Sequence, residues 1–181
     1  VRIVGVDPSL TATGIACTCG TSVFSTKKRG PERLFEITSE VISHATGVCT
    51  ELGLHPALVV IEGYSFNSKF KSEFMGELGG CIRMTLWRHE LRYVDVPPAV
   101  LKKFATGKGN AGKDDMISAA IRRFGFEGTN NNEADAHLLR YMGSSALNDP
   151  YYATRPNVTD YMREALARIE WPEVRPLDAT V

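Results

Sequence analysis

A mixed α/β sheet with helices on both faces is the fold class this sequence predicts, on three observations. The first is a succession of three short strand-like segments at the N-terminus. The second is "ALVVIE" at 57–62, an apolar, β-branched run without alternation, as expected of a strand buried on both faces. The third is the sequence of helical periods and short strands that follows it. Antiparallel neighbours can follow one another through tight turns, whereas parallel strands need a crossover, usually a helix.

Each element follows in order. "RIVGVD" (2–7) is an apolar strand ending in an aspartate, and "PSLTATG" is the turn after it. "IACTC" (15–19) and "SVFSTKK" (22–28) read as two more strands joined by a Gly-Thr turn at 20–21, completing an antiparallel meander. From Pro31 to Leu52 the residues Leu34, Ile37, Val41, Ile42, Val48 and Leu52 recur at helical spacing. After "ALVVIE" and the loop "GYSFNS", a helix is expected from about 69 to 90, with Gly76, Gly79 and Gly80 allowing close packing. "LRYVDV" (91–96) is a strand, "PPAVLKKFA" a short helix opened by proline, and "TGKGNAG" a glycine-rich loop. "KDDMISAAIRRFG" (113–125) is a helix closed by glycine, and 131–147 is the next. Residues 1–147 form one domain on this reading. Residues 148–181, bounded by prolines and holding one short helix near 158–170, form a C-terminal extension.

Composition narrows the function. Hydrophobic content of 43% and charged content of 23% are those of an ordinary globular protein. With 21 basic and 21 acidic residues, any attraction to nucleic acid must come from local patches. No apolar stretch is long enough to span a bilayer, and no signal-peptide pattern opens the chain, so a cytoplasmic protein is expected. Cys17, Cys19, Cys49 and Cys81 lack CxxC pairs and zinc-finger histidine spacing, which favours thiols in a reducing cytosol over a metal or disulfide framework.

The carboxylates carry the chemistry. Asp7 and Glu62 each close a hydrophobic strand, and ligands of α/β sheets gather at the carboxyl ends of strands. In "NNNEADAHLL" (130–139), helical geometry puts Asn132, Asp135, Leu139, Met142 and Ala146 on one stripe. Glu133 lies about 160° from Asp135 and about 40° from His137, so those two share the outer face as a surface or rim pair. Asp135 is thus the polar end of an inward stripe. Inward carboxylates close together need a positive charge between them, and an all-oxygen set suits Mg²⁺ or Mn²⁺ better than zinc.

"IVGVDPSLTATG", "VVIEGYSFN", "VLKKFATGKGNAGKDDM" and "NEADAHLL" resemble, in order and spacing, the RuvC-type Holliday junction resolvases of the ribonuclease-H-like superfamily. The resemblance covers residues 1 to about 146. It implies a five-stranded sheet, a three-strand antiparallel meander plus parallel strands, with helices on both faces. It also implies metal ligation by Asp7, Glu62 and Asp135, with Asn132 standing where the family has a further aspartate. Lys102 and Lys113 fall on basic positions near the DNA backbone, and Phe66 is close to the position of an aromatic wedge at the junction centre. Lys69 and Lys103 are assigned to the same DNA track.

Eleven basic and six acidic residues lie between 64 and 123, a net positive segment in a neutral protein. "TGKGNAGK" leads into a helix N-terminus suited to phosphate contacts, but it is not a Walker loop and no nucleotide cofactor is expected. The function expected is a Mg²⁺-dependent endonuclease, with two ions per site, acting on four-way junctions and other branched DNA. The resemblance implies 5′-phosphate and 3′-hydroxyl products and a homodimer, with the 69–90 helix a candidate interface. Three alternatives stay open at this point: a nuclease on RNA–DNA hybrids or flaps, a non-catalytic junction-binding protein, and an actin-like nucleotide-binding fold.

Overall fold

A computed structural model describes residues 2–46, 56–63, 72–147 and 158–173. Its strands are β1 (Arg2–Asp7), β2 (Thr13–Cys17), β3 (Gly20–Phe24), β4 (Pro56–Glu62) and β5 (Tyr93–Val96). The helices are α1 (Gly30–Thr46), α2 (Ser72–Arg88), α3 (Pro98–Thr106), α4 (Lys113–Phe124), α5 (Asn131–Ala146) and α6 (Asp160–Leu166). They build one mixed sheet of order β3-β2-β1-β4-β5, antiparallel across β3, β2 and β1 and parallel across β1, β4 and β5.

Alternation along the central strands divides the core in two. Ile3, Leu58, Val60, Val94 and Val96 face α3, α4, α5 and α6, while Val4, Val6, Ile15, Val59 and Ile61 face α1 and α2. Met162, Ala165 and Ile169 of the C-terminal segment belong to the first of these cores. None of the described helices is long and apolar enough to cross a membrane.

Three local expectations are corrected. The β2–β3 turn is Thr18–Cys19 rather than Gly20–Thr21, because Cys17 pairs with Gly20 and the antiparallel ladder runs on to Thr13–Phe24. The five-residue stripe expected for α5 understates its burial. Ala134, Ala136, Leu138, Leu139, Arg140, Met142, Gly143 and Ser144 are all buried, since the helix is enclosed by the sheet on one side and α3 and α4 on the other. His137 is not on an outer face with Glu133. Its Nε2 lies 2.8 Å from the Phe124 carbonyl and its ring packs on Phe126 and Tyr141. Burial correspondingly holds its pKa below the ordinary histidine range. His137 is a packing residue that fastens α5 to the end of α4.

Candidate active site

Asp7 follows Ile3 and Gly5 onto the α5 face of the sheet, and Glu62 follows Leu58 and Val60 onto the same face. The parallel register pairs Val6 with Ile61, which sets Asp7 beside Glu62 at the carboxyl ends of adjacent strands, about 4.8 Å apart across the ladder. The turn beyond Asp7 is fixed by its own hydroxyls. Thr13 Oγ1 donates to the Ser9 carbonyl at 2.8 Å and accepts from the Ser9 amide at 3.1 Å.

Two glycines deliver the third carboxylate. A Cβ on Gly5 would stand 2.0 Å from the Ala136 carbonyl oxygen, and one on Gly14 would stand 2.0 Å from that of Asn132. Backbone therefore lies on backbone where α5 crosses β1 and β2, and this contact carries Asp135 toward Asp7. An isolated glycine inside a strand is the sequence signal for such an approach, and neither was singled out from the sequence. The helix begins in place because the Asn130 side chain accepts from the amides of Asn132 and Glu133, at 2.8 and 3.3 Å.

The electrostatics mark a crowded acidic site. Burial, then the neighbouring Glu62, pushes Asp7 well above the ordinary carboxylate range, with Asp7 as hydrogen-bond donor to Glu62. Burial also raises Glu62, against that hydrogen bond and the Lys102 ammonium. Asp135 is pushed up to about 7 by burial and by Glu62, against Lys102 and Lys113. Asp135 Oδ1 is buried with no hydrogen-bond partner among the described residues. The charges of Lys102, midway along α3, and Lys113, the first residue of α4, thus act on the carboxylates.

The other expected residues are placed differently. Asn132 Nδ2 donates to the Ala12 carbonyl at 2.6 Å, so this side chain ties α5 to the β1–β2 turn. Lys103 pairs with Glu164 of α6 at 2.5 Å. At the glycine-rich loop the Asp115 carboxylate already accepts from the Gly112 amide, at 3.3 Å, so the start of α4 is capped from within. Phe66 and Lys69 lie outside the described residues.

Among the described residues, no three His, Cys, Asp or Glu side chains are gathered into a set that could hold a metal ion. Asp7 and Glu62 form a close pair, and Asp135 is coupled to them through charge. The donor chemistry nevertheless fits a hard cation. All three are carboxylates, one oxygen is buried without a partner, and two share a contact that a proton or cation must stabilise.

No family model matches the sequence. Curated relatives do. A crossover junction endodeoxyribonuclease RuvC of Synechococcus sp. (strain WH7803) is 26% identical over 138 residues, covering 70% of this chain and 86% of the relative. RuvC of Prochlorococcus marinus (strain MIT 9211) is 28% identical over 131 residues, covering 66% and 79%. Among solved structures, Thermus thermophilus RuvC superposes with a TM-score of 0.61 at 19% identity, covering 85% of this chain and 96% of that one. The chain resembles RuvC. Its mixed sheet is ribonuclease-H-like, with RuvC's fold spanning both the sheet and most of the helices around it. The T. thermophilus RuvC solved in complex with a Holliday junction substrate matches at a TM-score of 0.59 and 19% identity.

Proposed function

We propose that this RuvC-like chain is a structure-selective endodeoxyribonuclease that resolves four-way junctions and other branched DNA by phosphodiester hydrolysis. The observation that carries the reading is the placement of Asp7 and Glu62 side by side at the carboxyl ends of β1 and β4, with Asp135 brought over them by α5. The RuvC relatives are crossover junction endodeoxyribonucleases by name, which supports reading Asp7, Glu62 and Asp135 as the metal-binding carboxylates that the motif resemblance implies.

The divalent cation in this reading is Mg²⁺, with Mn²⁺ able to substitute. Asp7 and Glu62 would hold one ion, and Asp7 with Asp135 a second. When bound, the metal supplies an activated water and charge stabilisation at the leaving oxygen of an in-line displacement. The chain's own contribution is to keep the carboxylates ionised only when a positive partner is present, because burial otherwise favours their protonated forms. On this reading Lys102 and Lys113, whose charges act on Glu62 and Asp135, contact the scissile phosphate and balance its charge against the carboxylates. Asn132 acts in this reading by holding α5 against the β1–β2 turn through its Nδ2.

Paired cuts across a symmetric junction call for a two-fold dimer. The exposed stripe of α2 supports one: Met84 and Trp87 are 57% and 74% exposed, and a Cβ on Gly76 or Gly80 would meet nothing within 4 Å. Residues 148–181 remain, on this proposal, an extension to the nuclease domain, docked through α6. The test is incubation of the protein with labelled four-way junction, fork and RNA–DNA hybrid, with and without Mg²⁺. Mg²⁺-dependent paired nicking of the junction in preference to the hybrid is expected. Preferential hybrid cleavage, or junction binding without cleavage, would overturn the proposal.

A further inference from the structure

The end of the sheet opposite the carboxylates holds a second cluster of reactive groups. Cys17 closes β2 and pairs with Gly20, leaving Thr18 and Cys19 at the tip of the turn. Cys17 is 3% exposed and belongs to the α1–α2 core, whereas Cys19 is exposed. The Cys17 thiol lies against the ring of His44, in the last turn of α1, and accepts the Cys19 amide N–H. His44 Nε2 is 3.2 Å from Glu40 Oε1, one turn back, while Nδ1 is buried with no hydrogen-bond partner among the described residues. The helix end carrying His44 is anchored, because the buried Arg2 donates from Nη2 to the His44 and Ala45 carbonyls at 2.6 and 2.8 Å.

A buried thiol in apolar surroundings ordinarily stays protonated and inert. Here burial pushes Cys17 up, but the His44 contact and the Cys19 hydrogen bonds outweigh it and bring the thiol down to about 7. His44 is raised in turn by its contact with Cys17, and Glu40 favours the imidazolium. The arrangement is a nucleophile, a base and an orienting carboxylate in sequence. A soft-metal site on Cys17, Cys19 and His44 is not favoured, since no such set is arranged among the described residues.

We propose that Cys17 and Cys19 are a redox pair, in which exposed Cys19 meets a low-molecular-weight disulfide and internal Cys17 displaces it to close a Cys17–Cys19 bond in the β2–β3 turn. The Cys19 thiolate attacks one sulfur of the oxidant, here glutathione disulfide, releasing one glutathione thiolate and forming a mixed disulfide. The Cys17 thiolate then attacks Cys19 Sγ, breaking that bond and releasing the second glutathione. The two cysteines lose two electrons, glutathione disulfide gains them, and the two thiol protons pass to His44 or solvent. Residues two apart in a turn fall within the roughly 4.4–6.8 Å Cα span that a disulfide tolerates. Closure staples the hairpin at the β3 edge of the sheet.

The experiment exposes the full chain to glutathione disulfide at pH 7, traps remaining thiols with N-ethylmaleimide, and reads intact mass and peptide maps over time. Wild type should lose two hydrogen masses, map the bond to Cys17 and Cys19, and recover with dithiothreitol. Cys17→Ser should instead stop at a stable glutathione adduct on Cys19, and Cys19→Ser should leave Cys17 unmodified. His44→Asn should slow closure about three-fold. Its thiolate fraction falls about fifteen-fold as the thiol returns toward 8.5, partly offset by about five-fold greater nucleophilicity. A lasting glutathione adduct on wild-type Cys19, a bond from Cys19 to another cysteine, or closure in His44→Asn as fast as in wild type would overturn the proposal. Should Cys17→Ser fail to fold, the wild-type, Cys19→Ser and His44→Asn arms still decide it.

Discussion

Asp7 and Glu62 stand on adjacent parallel strands with their carboxyls joined by a hydrogen bond, a contact two ionised groups cannot make without a cation between them. Either a proton or a metal ion must occupy that contact. Which one does so depends on pH and on cation concentration, and this links the stability of the site to its activity.

Asp7→Asn and Glu62→Gln should each reduce junction cleavage about a thousand-fold or more, the scale of losing one charge-stabilising group at a reaction centre. Junction binding should survive, because in the proposed function the phosphate contacts fall to lysines outside the pair. Cleavage and gel-shift assays on one labelled junction separate the two effects, and near-wild-type cutting by either variant would sink the assignment.

Without divalent metal, stability should fall as pH rises from about 5 to about 8. Asp7, Glu62 and Asp135 all have folded-state pKa values above their ordinary ones, so the fold favours their protonated forms. That stability is complete below the unfolded-state pKa and is lost as pH climbs through the folded value, about 7 for Asp135. Mg²⁺ should therefore raise Tm more at pH 8 than at pH 5. Thermal melts across this range check the sign, and a cation effect independent of pH would contradict it.

Gly14→Ala should lose stability and cleavage together. Its methyl would meet the Asn132 carbonyl at 2.0 Å, so α5 must lift from β2 and withdraw Asp135 from the site. Relieving such overpacking costs roughly 1–3 kcal/mol. Denaturant unfolding and a cleavage rate under folded conditions measure the two parts; unchanged cleavage would mean that the close approach does not position Asp135.

Lys102→Ala and Lys113→Ala should each flatten the salt dependence of junction binding by about one unit of log–log slope. Lys103→Ala should change it less, since Glu164 already neutralises that ammonium in the docked α6. Glu164→Gln should then strengthen binding modestly by releasing Lys103. An identical slope change for all three lysines would argue that α6 does not compete with DNA.

Asn132→Asp should not behave as restoration of a ligand. The amide donates to the Ala12 carbonyl, and a carboxylate there would face that oxygen without a proton to give. Leaving the carbonyl unsatisfied costs about 1–3 kcal/mol. A lower Tm with no fall in the Mg²⁺ needed for half-maximal cleavage is expected. A markedly lower Mg²⁺ requirement would return Asn132 to the ligand set.

The sequence by itself determined the strand-then-crossover order, the strand ends at Asp7 and Glu62 and the inward turn of Asp135, because each follows from a local period of two or 3.6 residues. Only the tertiary structure decided what meets what across long separations. The Gly5 and Gly14 contacts with α5, the tie from Asn132 to Ala12, the pairing of Lys103 with Glu164 and the Cys17–His44 cluster join residues far apart in the chain. His137 was misread for a related reason: a helix enclosed on nearly all sides has no solvent face for periodicity to reveal, so its polar residues find backbone partners instead of water.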